Sequence, residues 1–419
     1  MKKILVVLLV LVAATGVFAQ EGEWSLGGNV EIGAFVDFSA DDIVASGSTY
    51  NFPYAGWGPI QGTLGIGYTL DALKVGLTFS TSRDEIVWGD ISYDGGNYAL
   101  AAYSDLTKLI QGTGDQQRLW GYYKLLNEMV TLEAAYRGPD KFYWESDTTG
   151  ALVKYTSSLG SNYYTSWPHA QWGTGNAFTE QPWATTNTFS GTDKQDYILA
   201  DVTLSNLEFG VMLPHIFPSL GLGGTTSNLL ENTMKKAVVG LKFNMQPVEV
   251  AAQFQMGNYG VYFGGRWFIG PVTAGLSFSG ILDPDAPSKV MRFGGGVEYN
   301  PGVFGAWIKA FYGTEKLTSG DRGTQIGIEP GFFYNVIPSH LQFKTSVGFY
   351  FTGGKTGGVK NDLEVGWAVQ PELFWNFLGT GAGSYWSYGT GMIVRYRLLA
   401  DEDGMGKTNA LDVNFKFSY

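Results

Sequence analysis

One pattern dominates the chain: apolar residues alternate with polar or small ones for about ten residues at a stretch, and then the alternation stops and starts again. The last stretch, "ALDVNFKFSY", is regular throughout, with Leu411, Val413, Phe415, Phe417 and Tyr419 on one face and Asp412, Asn414, Lys416 and Ser418 on the other. The first places Trp24, Leu26, Val30, Ile32, Ala34, Val36 and Phe38 opposite Ser25, Asn29, Glu31 and Asp37. Similar runs recur at about 62–70, 73–80, 117–126, 129–138, 195–204, 207–213, 236–243, 248–256, 260–269, 272–279, 290–299, 303–312, 324–334, 341–351, 362–376, 385–398 and 409–419, which makes 18 with the first. A period of two over runs of this length is a strand pattern, so the chain is expected to be all-β.

The two faces differ in kind. Across these runs the apolar face is nearly free of charge, whereas the other carries most of the charged residues, basic and acidic in similar number, and much of the strand glycine. So many charges cannot be buried dry, and the second face must meet water. A secreted β-sandwich and a membrane barrel with a wet interior both satisfy that condition. Strand number favours the barrel, because open twisted sheets seldom grow so large. Aromatics near the ends of the apolar faces, Trp24, Tyr68, Phe79, Trp267, Tyr299 and Tyr334 among them, are placed as interfacial girdles are.

The links point the same way. Short ones at Asp71-Ala72, Asn127-Glu128, Ser205-Asn206, Asn244–Pro247, Gly270-Pro271, Asn300–Gly302, Asn335–His340 and 377–384 alternate with longer ones at 39–61, 81–116, 139–194, 214–235, 280–289, 313–323, 352–361 and 399–408, plus a tight one at Gly257–Tyr259. An antiparallel up-and-down barrel of about 18 strands, with 16 as the alternative, accounts for this asymmetry, short periplasmic turns facing long extracellular loops. Segment 81–116 is the least regular. Its "YDGGN", Tyr93–Asn97, reads as a small hairpin expected to project above the wall.

The N-terminal "MKKILVVLLVLVAATGVFAQ" has two lysines, an apolar core and small residues at Val17 and Ala19, the layout of a cleaved signal peptide over 1–19. No later run is apolar enough for a spanning helix, so a membrane form must be a closed barrel, here one domain over 20–419. Without Lys2 and Lys3 the net charge moves from −11 to −13, which excludes nucleic acid as a natural partner. No cysteine is present, so neither a disulfide nor a lipid-modified cysteine is expected.

"NFKFSY" resembles the C-terminal insertion signal of bacterial outer-membrane proteins, with Tyr419, Phe417 and Phe415 matching its terminal aromatic and alternate apolar positions. With the signal peptide and the strand number, the mature chain resembles a porin of the 16- to 18-stranded class. That resemblance implies outer-membrane lipid as surroundings, periplasmic chaperones and the barrel-assembly machinery during export, and small hydrophilic solutes as cargo. It leaves a monomer and a homotrimer both open.

No enzyme site emerges. His169, His215 and His340 all fall in links and none is at a metal-ligand spacing, so no metal, cofactor or catalytic residue is expected. "GKT" at Gly354 and at Gly406 lacks the preceding glycine of a phosphate loop, since Phe349 and Asp401 stand in its place. The expected pore wall includes Lys74, Arg118, Lys124, Glu133, Arg137, Asp201, Glu208, Arg266, Lys309, Arg395 and Arg397, most of them paired with a charge on a neighbouring strand. The 139–194 link, about 56 residues long, is rich in aromatics. By the same resemblance, as the third long loop, it is expected to fold into the barrel and narrow it. Trp167, Trp172 and Trp183 in that link, with Trp120, Tyr122 and Trp307 on the wall, are candidates for stacking on sugars.

The expected function is passive diffusion of small hydrophilic solutes, with a weak cation preference from the acidic loops. A carbohydrate-selective channel and a closed-barrel adhesin or structural protein are the alternatives.

Overall fold

The structure is a computed structural model and describes residues 22–37, 42–45, 60–80, 86–106, 118–136, 197–214, 234, 237–256, 259–283, 288–317, 320, 322–356, 358–379, 390–401 and 408–418. These contain β1 (Glu23–Asp37), β2 (Asp42–Ala45), β3 (Ile60–Leu70), β4 (Leu73–Ser80), β5 (Ile86–Asp94), β6 (Tyr98–Asp105), β7 (Arg118–Leu125), β8 (Val130–Tyr136), β9 (Tyr197–Leu204), β10 (Leu207–Pro214) and β11 (Val238–Met245). The remainder are β12 (Val248–Gln255), β13 (Gly260–Ile269), β14 (Val272–Ile281), β15 (Ser288–Tyr299), β16 (Phe304–Leu317), β17 (Arg322–Ile337), β18 (Leu341–Thr356), β19 (Val359–Asn376), β20 (Gly391–Asp401) and β21 (Thr408–Ser418).

From β3 to β21 each strand pairs antiparallel with the next, and β1 joins β3 to β21. The sheet therefore closes on itself. The short β2 turns back along the far end of β1, pairing Asp42–Ala45 with Ala34–Asp37, while β3 takes the rest of that edge. Closure satisfies the backbone of both terminal strands without an edge.

Among the described residues the ring has 20 strands, two more than expected. The addition is the 86–105 hairpin, which enters the wall between β4 and β7 instead of projecting above it. The link pattern could not reveal it, because a hairpin adds two strands and one link to each end. Its polar face is also weak, with Trp88 at a lumen-side position among Asp90, Ser92 and Asp94. Links 313–323 and 352–361 are likewise mostly strand, since β16 runs on to Leu317 and β18 to Thr356. In the opposite sense β20 starts only at Gly391, six residues later than the alternation indicated.

The pleat segregates the faces as the alternation requires. Leu26, Leu100, Leu119, Leu276, Phe263 and Ile308 project outward and are more than half exposed. A contiguous exterior of this kind suits hydrocarbon and not water. Aromatic residues gather at the short-turn end, where Trp24 meets Tyr68 with ring centroids 5.0 Å apart, Tyr93 stacks on Tyr98 at 5.4 Å and Tyr299 meets Phe304 at 5.6 Å. Leu276, mid-strand on β14 and 60% exposed, provides a test. Leu276→Arg is expected to lower unfolding stability in lipid vesicles by about 2–4 kcal/mol. Thr78→Arg, on the inward face of β4, should change it by about 0.5 kcal/mol or less.

The wall is uneven in height. Strands β7 to β12 have 7 or 8 residues, whereas β16, β17, β18 and β19 have 14, 16, 16 and 18. A tilted spanning strand needs about 9–11 residues, so the taller strands continue beyond the apolar zone at the end opposite the termini. Between β16 and β17 two glycines are covered by aromatics from the facing strand. Trp307 lies over its register partner Gly331, and Phe333 over Gly305, leaving no room for a Cβ at either glycine.

Candidate functional site

The inward face is the surface a solute would meet, and its charges are arranged in cross-strand pairs. The register sets Glu208 opposite Lys242, Glu249 opposite Arg266, Lys309 opposite Glu329 and Glu31 opposite Lys416. At one level of β18 to β21 it sets Lys344, Glu372, Arg395 and Asp412 side by side, alternating in sign across four strands. Arg395 Nε donates to Glu372 Oε2 at 3.0 Å, and Arg266 Nε donates to Glu249 Oε2 at 2.7 Å. The Arg395–Glu372 and Arg266–Glu249 contacts neutralise their part of the wall and tie neighbouring strands together.

The remaining sequence-derived wall positions are less uniform. Lys74 is exposed to the interior, between Thr69 and Ser92. Lys124 pairs with Glu128 at 3.2 Å in the short turn and lies 5.5 Å from the Tyr122 ring. Tyr122 in turn donates its hydroxyl to Asp94 Oδ1 at 2.9 Å. Glu133 is buried and accepts a hydrogen bond of 2.5 Å from the Tyr197 hydroxyl, and Asp201 on the same strand as Tyr197 is buried as well. Arg118, Trp120 and Arg397 occupy lumen-side positions opposite Tyr103, Ala101 and Ala410. Arg137, Trp167, Trp172, Trp183 and Tyr419 lie outside the described residues, as does the whole 139–194 link.

Two expectations need correction. Trp307 is only 7% exposed, because its ring lies on Gly331 with the Lys344 ammonium 5.9 Å away. In this conformation it offers no free face to a sugar. The 139–194 link joins β8 to β9 and, once the 86–105 hairpin is counted in the wall, is the fourth link on its end of the barrel and not the third. Its place in the order of the long links therefore differs from that of the third loop.

The structure also adds residues that the sequence reading passed over. Asp90, Asp94 and Asp105 join the lumen-side positions through the hairpin. More unexpected is an apolar part of the inner wall, where Ala135, Tyr197, Leu199, Met212 and Val238 from β8 to β11 are all buried. Tyr197 and Leu199 share the parity of Asp201, which was the available signal. Phe374 and Ile393, beside Arg395, form a second buried inner patch.

No protein-family model matches the chain, and no curated protein does. Solved structures do resemble it. OmpT of Vibrio cholerae with loop L8 deleted, an outer membrane protein, aligns at a TM-score of 0.41 and 9% identity over 96% of this chain and 100% of that one. OpdO of Pseudomonas aeruginosa aligns at 0.44 and 10% over 95% and 97%, and Salmonella typhi OmpF, in complex with daunomycin, at 0.37 and 10% over 95% and 98%. The chain is similar to bacterial outer-membrane porins. Likenesses this distant assign no residue a role, and the barrel rests on the register of its own strands.

Proposed function

We propose that the chain is an outer-membrane channel through which small hydrophilic solutes diffuse passively. The observation that carries this reading is the closed ring itself, apolar and exposed on the outside and lined with charge on the inside. Export through a cleaved signal peptide and insertion signalled by Phe415, Phe417 and Tyr419 belong to the same reading, as does assembly as one barrel or three. The hairpin supports the cation preference, since it brings Asp90, Asp94 and Asp105 to lumen-side positions and contributes no basic residue. Conductance of the refolded mature protein in planar bilayers tests it. A steady current with a mild cation preference that fades at high salt is expected, and strong anion selectivity would overturn the preference.

A closed barrel is the second reading, favoured by the buried apolar patches on the inner wall. A folded, heat-modifiable barrel carrying no current would establish it over the first. Narrowing by the 139–194 link, whose roots adjoin the buried residues Ala135 and Tyr197, lies between the two. On that reading, deletion of 150–185 enlarges the unitary conductance, and an unchanged conductance removes the link from the pore.

A further inference from the structure

The tall strands carry a feature that the channel reading does not use. Lys289 on β15 is in direct register with Lys316 on β16, Lys316 with Arg322 on β17, Arg322 with Lys355 on β18, and Lys355 with Lys360 on β19. Five of the 27 basic residues of an acidic chain thus stand in one row across five adjacent strands. All five are exposed, and none forms an ion pair with a described residue; Arg322 Nε donates to the Thr314 hydroxyl at 3.2 Å. Like charges directly opposite one another repel across a ladder, so a row of five attracts an anion among them.

The position of the row identifies that anion. Lys289, Lys316, Arg322 and Lys355 share the outward parity of Phe293, Tyr312, Ile326 and Phe351, which form another register row four residues nearer the middle of the barrel, and a register shift between Thr352 and Gly354 brings Lys360 into line with Lys355. Phe293 and Tyr312 are in ring contact at 6.2 Å, as interfacial aromatics are. Four residues of strand rise about 14 Å, or about 10 Å along the membrane normal at a tilt near 45°. Long basic side chains at that height reach back to the headgroup layer.

We propose that this row is a docking surface for net-anionic, phosphate-bearing lipid headgroups of the leaflet at the end opposite the termini. With neighbouring strands about 4.8 Å apart, the row spans about 19 Å. It thereby presents several cations to a single headgroup or a line of them.

Native mass spectrometry of the full barrel released from neutral detergent tests the assignment, with phosphatidylglycerol, phosphatidylcholine and inorganic phosphate as probes. The unaltered protein is expected to retain phosphatidylglycerol in preference to phosphatidylcholine, the more so at low salt. The triple variant Lys316→Gln, Arg322→Gln, Lys355→Gln should reduce that preference by roughly a hundredfold, at about fivefold per cation near an anionic surface. Lys316→Arg with Lys355→Arg should keep it. Equal retention of the two lipids by the unaltered protein, or an undiminished preference in the triple variant, would overturn the proposal. So would displacement of the lipid by millimolar inorganic phosphate, which would assign the row to a free anion. Current through the pore does not enter this readout, so the proposal stands or falls apart from the channel reading.

Discussion

A chain lacking residues 408–418 is expected to yield no folded barrel. β21 forms nine register pairs with β20 and nine with β1, and through them it closes the ring. Without it, both neighbours present an open edge to lipid, where each unsatisfied backbone group costs several kcal/mol. Direct closure of β20 on β1 would need a parallel pair in an otherwise antiparallel ring, because both strands run antiparallel to β21. Refolding into detergent or vesicles should give a product that migrates as unfolded chain in unheated gels and is digested throughout by protease. Recovery of a protease-resistant, heat-modifiable band would mean that β20 can close on β1 directly, and that β21 is dispensable to the ring.

Arg395→Met should produce the largest loss from a single lumen-side substitution. The Arg395 side chain is 4% exposed and that of Glu372 13%, so removing the guanidinium leaves a carboxylate largely shut away from water. Breaking a buried pair from one side costs about 3–5 kcal/mol. The low end is expected here, because Lys344 stands at Glu372's other register position and takes over part of the interaction. Urea unfolding in lipid vesicles, followed by tryptophan fluorescence, measures it. The double variant Glu372→Met, Arg395→Met should recover much of the loss, since an apolar pair of similar volume replaces a charge pair that gave up hydration to form. A single variant as stable as the parent would show that water reaches Glu372 and that this patch of wall is wet.

What could be read in advance follows from what alternation encodes. Where the alternation is clean, a residue's parity sorts it to one face or the other, and Lys74, Lys124, Glu133 and Arg266 fall on the face that the register makes common to neighbouring strands. The hairpin at 86–105 was not legible as wall, because Trp88 and Ile86 blur its polar face and a hairpin leaves the balance of links unchanged. The buried inner patch at Tyr197, Leu199, Met212 and Val238 escaped for the opposite reason. Apolar residues at lumen-side parity look like lapses in the pattern until the packing of the wall is known. The row from Lys289 to Lys360 was hidden more deeply, since its members are dispersed over 72 residues of sequence and meet only through four successive strand registers.

Parity also leaves one error unguarded. Sliding β17 past β16 by two residues would keep every apolar side chain facing lipid, so the hydrophobic pattern is blind to it. The two aromatic and glycine pairs are not. One direction of sliding brings Trp307 against Phe333, and the other sets Gly305 opposite Gly331 and leaves a void, so only the native alignment fits each ring to a bare backbone. The pair works as a vernier for assembly, distinguishing alignments that the coarser scale of inside and outside treats as the same.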